Sequence, residues 1–100
     1  MHAHIGIWKL NDAGASSSDT MAREIGEFLR QQGGFHSYTL VRTDEQEVVA
    51  VTVFETAAQL HDALSELDGS IRLNLRHLSD GAPHRFAGEV VYDLNHVEPD

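Results

Sequence analysis

His36, Tyr38 and Arg42 fall at even positions of one predicted strand, with Leu40 between them. A regular strand would place them on one face. In a small pocket, a tyrosine and an arginine would bind an oxygenated aromatic compound. A histidine beside them would take a proton from a phenolic hydroxyl near neutral pH. The same three residues also fit a sheet face on which Tyr38 packs and the others meet solvent. Trp8, the single tryptophan, would stack on a ligand ring or fill a core or interface. His61, on the second predicted helix, would reach a cavity between helix and sheet as a second base, or lie in water at an edge. The candidate set is therefore His36, Tyr38 and His61 for catalysis, with Trp8 and Arg42 for substrate binding. Spacing alone does not bring the five together.

Other constellations carry less. His2 and His4 sit two apart on a strand and could hold a metal, with His36 or His84 as a third ligand. No carboxylate or third histidine stands in fixed relation to them, so no metal is assigned. Arg72, Arg76 and His77 form a small basic group that would bind a carboxylate or phosphate. They also fit surface pairs with Asp68 and Asp80, which contribute little. Glycine-rich phosphate loops, G-x-S-x-G elbows and H-E-x-x-H helices do not occur.

Composition narrows the function classes. Sixteen acidic residues stand against seven basic ones, a formal net charge of −9, which argues against a nucleic-acid backbone or an anionic membrane as main partner. The absence of cysteine removes disulfides, thiolate metal sites and cysteine nucleophiles. No apolar run approaches the ~20 residues needed to span a bilayer. MHAHIGIWKL lacks a basic segment followed by a long apolar core, so no signal peptide is expected and the expected location is cytoplasmic. One hundred residues make one domain, 1–100.

The elements that must position these residues can be read from periodicity. HAHIGIWKL alternates as a strand, and NDAGASSSD reads as a loop of turn formers. Ser18 or Asp19 would cap a helix over TMAREIGEFLRQQ, with Met21, Ile25, Phe28 and Leu29 on one side. Gly33 and Gly34 would end it, and Gly26 inside it suggests a close approach to a sheet. Phe35–Arg42 and Glu47–Phe54 read as a hairpin around TDEQ. Thr56 to Gln59 forms a capping box for a helix with Ala57, Leu60, Leu64 and Leu67 on its apolar stripe, stopped at Gly69. In SIRLNLRHL, Ile71, Leu73 and Leu75 alternate like a strand while Ile71, Leu75 and Leu78 fit a short helix, which is the reading taken; FAGEVVYDL (86–94) fits a last strand and NHVEPD a polar tail.

The order is βαββαβ. That pattern predicts an α+β, ferredoxin-like fold, an antiparallel sheet with both helices on one face. Trp8, Val48, Ala50 and Phe54 then place apolar groups on the face expected to be free of helices. A second copy, sheet against sheet, would cover it.

HIGIWKL, the helix ending in GGF, the hairpin YTLVRTDEQEVVAVTVFET, the helix opening with TAAQL and the strand GEVVYDL together resemble the dimeric α+β barrel superfamily, and within it the antibiotic biosynthesis monooxygenase-like domains. The resemblance covers nearly the whole chain through loose motifs. It implies a homodimeric α+β barrel. Its members include cofactor-independent quinol oxygenases, haem-degrading enzymes and many small proteins of unknown role, so it implies no single activity. The haem-degrading branch carries a tryptophan in the second helix and a histidine ligand near its end. The matching positions here are about Ala63 and Leu73, which puts haem degradation low.

Two readings follow. One is a homodimeric enzyme or binder that accepts a small aromatic or quinol-like molecule between helices and sheet and uses oxygen without a bound cofactor. The other is a non-catalytic structural or regulatory dimer. A deep pocket with polar lining would favour the first, and a space filled by Trp8, Phe28 and Phe54 the second. Nucleic acid is excluded as partner, since EVVAVTVFE, the third strand, has one aromatic and no basic residue.

Overall fold

The computed structural model describes residues 1–74, 79 and 81–94, without side chains for 70–74. The elements run β1 (His2–Lys9), α1 (Asp12–Arg30), β2 (Phe35–Asp44), β3 (Glu47–Phe54), α2 (Ala57–Asn74) and β4 (His84–Glu89). The four strands form one antiparallel sheet in the order β2-β3-β1-β4. This is the ferredoxin-like α+β fold expected from the element order.

Helix α1 begins earlier than the run of turn formers suggests. Asn11 is the N-cap, and its Oδ1 accepts from the Gly14 N–H at 2.9 Å. GASSSD has low helix propensity, so tertiary contacts hold it helical. Gly14 and Ser18 are buried small residues that let the helix lie close to the sheet. Arg42 of β2 donates to the Ser18 hydroxyl, and Gln46 donates to Asp12 at 2.6 Å. Neither anchor is visible to a local reading. The helix closes as expected: Gln31 is the C-cap and Gly34 has φ +83°, a conformation suited to glycine. Gly26 faces the Tyr38 ring, where an added Cβ would sit at an ordinary 3.6 Å.

Helix α2 opens on the expected capping box, with the Gln59 N–H donating to Thr56 Oγ1 at 3.1 Å. It runs through Gly69 to Asn74, where the sequence suggested a stop. A mid-helix glycine costs only about 1 kcal/mol. The expected short helix thus continues α2 as far as residue 74, and residues 75–78 lie outside the described set, as do Arg76, His77, Asp80 and the polar tail 95–100. The last strand is shorter than expected. The β1–β4 ladder ends where the Val90 N–H meets the Met1 carbonyl at 2.9 Å, and Val91, Tyr92 and Leu94 stay exposed.

Core packing gathers on Leu29, Phe54, Leu60, Ala63 and Leu67, with Ile25, Phe28, Phe35, Tyr38 and Leu64 against them. Phe35 meets Phe54 edge to face, centroids 5.7 Å apart. Here the sheet faces are the reverse of the expectation. Trp8, Val48, Ala50 and Phe54 lie on the helix side. The open side carries Ile5, Ile7, Val41, Val49, Val51, Val53 and Phe86, of which Ile5, Val41 and Phe86 are 39, 47 and 58% exposed. Both faces of β1 and β3 carry large apolar side chains, so alternation could not say which one the helices take. Among the described residues, no helix is long and apolar enough to cross a membrane.

Candidate functional site

One cavity of about 80 Å³ opens between the helices and the sheet. Its walls are mostly apolar, with Met21 and Ile25 from α1, Leu64 and Leu67 from α2, and Leu40 from β2. The sheet supplies a polar rung across its floor. Strand register places Tyr38 opposite Thr52, and Thr52 opposite His4. All three line the cavity. The even side of β1 also brings in Trp8, and β4 brings Arg85.

Gly6 is what allows this floor. It lies between His4 and Trp8 on the same face, and an added Cβ would stand 3.1 Å from Trp8 Nε1 and 3.5 Å from His4 Cε1. Imidazole and indole therefore close over a residue without a side chain. Gly6→Val is expected to lower stability by about 1–3 kcal/mol through overpacking, read as an earlier midpoint in urea unfolding. A midpoint unchanged from wild type would show that the floor has slack.

The polar groups are available. The side chains of His4, Trp8, Tyr38 and Thr52 make no hydrogen bond among the described residues. Yet no fully buried polar side-chain atom there lacks a partner. The free hydrogen-bonding atoms of these four residues therefore open onto accessible space, and Thr52 does so while only 2% exposed as a residue.

Their protonation states differ. Burial lowers the His4 pKa below 6.5, and the nearby Arg85 charge lowers it further, while Asp68 opposes weakly. His4 is thus a neutral imidazole at pH 7, able to accept a proton. Burial pushes the Tyr38 phenol up to about 12, so Tyr38 remains a donor. Arg85 forks onto Asp68 with contacts of 3.0 and 3.1 Å. Its guanidinium carbon stands 5.6 Å from the Trp8 ring centroid.

Of the five residues singled out from sequence, the structure brings Trp8 and Tyr38 to the cavity and leaves three outside its lining. His36 is exposed because it is the extra residue of a β-bulge: Phe35 pairs with Phe54 and Ser37 with Val53. The bulge breaks the alternation on which a shared face with Tyr38 depended. Arg42 turns to Ser18 and ties β2 to α1. His61 is exposed on α2. Among the described residues, no group of three metal-type side chains converges, His2 and His4 included. Thr52 and Arg85 were missed, and His4 and Asp68 were read in other roles, as a metal ligand beside His2 and as a surface partner of the basic group. The even spacing of His4 with Gly6 and Trp8 was a usable signal for its place here. The Asp68–Arg85 pairing across two elements left none.

Comparison with known proteins supports the fold. No family model matches the chain, and no curated protein matches it. Solved structures do. SnoaB from Streptomyces nogalater, a cofactor-independent oxygenase, superposes with a TM-score of 0.76 at 20% identity, over 95% of this chain and 97% of that one. A putative antibiotic biosynthesis monooxygenase from Deinococcus radiodurans gives 0.79 at 16% identity, over 98% and 100%. A protein of unknown function from Nitrosomonas europaea, NE2512, gives 0.82 at 9% identity, over 97% and 95%. The chain has the fold of the antibiotic biosynthesis monooxygenase-like domains.

Proposed function

We propose that this protein is a cofactor-independent monooxygenase, or a binder, of a small aromatic or quinol-like molecule, and that it works as a cytoplasmic homodimer. One observation carries the reading: four polar side chains without hydrogen-bond partners among the described residues meet in a mostly apolar cavity that Phe28 and Phe54 do not fill. A structural module has no need of an unfilled space lined by free donors and an unprotonated imidazole. The likeness in fold to SnoaB is a second, weaker support.

In this reading His4 takes the proton of a ring hydroxyl. Tyr38 and Thr52 donate to the oxygen that becomes anionic, and Trp8 stacks on the ring. The electron-rich anion then reduces dioxygen itself. A quinol plus dioxygen gives a hydroxyquinone plus water: one oxygen atom stays on a ring carbon, and the other leaves as water. The substrate supplies all four electrons, so no bound cofactor is called for. In this reading His36, Arg42 and His61, which are not among the residues lining the cavity, are given no role.

The test is oxygen uptake by the purified protein against a panel of quinols, with product masses. Gain of one oxygen atom per turnover, above the rate of spontaneous oxidation, supports the reading. Uptake equal to that of buffer, with no ring compound retained in native mass spectrometry, would favour a non-catalytic dimer.

The dimer is argued from the open sheet face. Thr39, Val51, Ile5 and Phe86 form one rung across it, and Val41, Val49 and Ile7 the next. A face so apolar is a hydrophobic liability in a lone chain, and a second copy covers it with matching chemistry. Val51→Asp, at the centre of that rung, is expected to yield a monomer in light scattering at concentrations where wild type is a dimer. A wild-type monomer would defeat the proposal.

A further inference from the structure

We infer that the ligand of this cavity is an acidic single-ring compound whose anionic oxygen takes the place of Asp68 on the Arg85 guanidinium. The inference deepens the reading of the cavity as a binding site and rests on it.

Size comes first. The cavity measures about 80 Å³, roughly half of the ~150 Å³ that holds a benzene molecule. A single ring enters only in part, so one end of the ligand stays at the rim. Arg85 and Asp68 stand at that rim, lining the cavity with side chains 38 and 39% exposed. Among the described residues, Arg85 is the single cationic side chain in the lining.

Arg85 is also placed to exchange partners. Its planar fork already holds a carboxylate in bidentate geometry, which is the arrangement a ligand carboxylate would reproduce. The existing pair is partly exposed, and such pairs contribute little. Releasing Asp68 to water is therefore cheap. The contact with the Trp8 ring is independent of Asp68, so the guanidinium keeps its position at the rim during the exchange. A local cation is needed as well, because the net charge of −9 repels an approaching anion. The ring hydroxyl at the far end then meets His4, Thr52 and Tyr38.

The experiment compares para-hydroxybenzoate with its neutral counterpart para-hydroxybenzyl alcohol by titration calorimetry, with fluorescence of the single tryptophan reporting the site. The acid is expected to bind more tightly than the alcohol. Asp68→Asn removes the internal competitor and is expected to tighten the acid about two- to fivefold. Arg85→Gln is expected to weaken it by about tenfold or more, and Arg85→Lys, which keeps the charge without the fork, to fall between. The alcohol is expected to stay within about twofold throughout. Glu66→Gln, an exposed acid on the same helix, controls for general loss of negative charge and is expected to leave the acid unchanged.

Tightening by Glu66→Gln equal to that by Asp68→Asn would overturn the exchange. So would an acid no tighter than the alcohol, or an Asp68→Asn protein that binds the acid less well. If the alcohol binds with a change in tryptophan emission and the acid is no better, the cavity survives and only this inference fails. If neither compound binds, the cavity reading falls with it.

Discussion

Replacing His4 with alanine is expected to slow turnover of an accepted quinol by about 10²–10⁴-fold, the usual contribution of a general base. Affinity for the ring should change little, because Trp8 and the apolar walls remain. The mechanism carries a pH signature. The His4 pKa is lowered by burial and by Arg85, so the imidazole stays neutral below pH 6.5. Activity of the wild type should therefore persist into mildly acidic buffer and fall only through the lowered pKa. His4→Ala should lose that acid limb along with its rate. Stability follows with a definite sign. The unfolded chain binds a proton at higher pH than the folded one, so the neutral-histidine contribution is full above 6.5 and declines as pH falls towards the folded value. A His4 titration by proton NMR that lies at or above 6.5 would remove both expectations.

Phe54→Ala is expected to have the largest effect on stability. The ring is fully buried, packs among Leu29, Leu60 and Ala63, and meets Phe35 edge to face. Truncating such a ring costs about 3–5 kcal/mol. Domains of this size have about 5–15 kcal/mol in total, so a large part of the margin disappears. Thermal melting should drop by more than about 12 °C, taking ~4 °C per kcal/mol as a lower bound. A shift of a few degrees would mean that the surrounding side chains collapse into the space. The residue does not line the cavity. Ring binding at low temperature should therefore outlast the loss of stability.

The architecture was legible because its signals are local and strong. VVAVTVF could only be a strand, TAAQ carried its own cap, and GG ended α1 where the chain turns. Other features depend on contacts far along the chain. The helical state of GASSSD rests on Arg42 and Gln46, which are distant in sequence. Which sheet face the helices cover could not be read from β1 and β3, because both faces carry large apolar side chains. For the site, Trp8 and Tyr38 were legible by residue type as a large and a polar aromatic, although Trp8 was expected on the face away from the helices. His36 was misplaced by a single inserted residue in β2, which no periodicity reveals in advance. His4 was visible but read beside His2 as a ligand pair, when its informative neighbours were Gly6 and Trp8. The Arg85–Asp68 fork exists only because β4 returns beside β1 under α2.

That return has a kinetic meaning. Strand β4 is a sheet edge, paired among the described strands with β1, and all six of its residues are exposed in the single chain. Where the second copy leaves its outer edge bare, a strand so thinly held detaches and re-forms at a small fraction of the global unfolding free energy. When β4 lifts, it carries Arg85 away from Trp8 and opens the side of the cavity, while the Phe54 core stays shut. Amide exchange should therefore be far faster along His84–Glu89 than along Glu47–Phe54. The rate at which the edge strand frays, rather than the size of the resting opening, would then set how quickly a ring enters and how quickly its product departs.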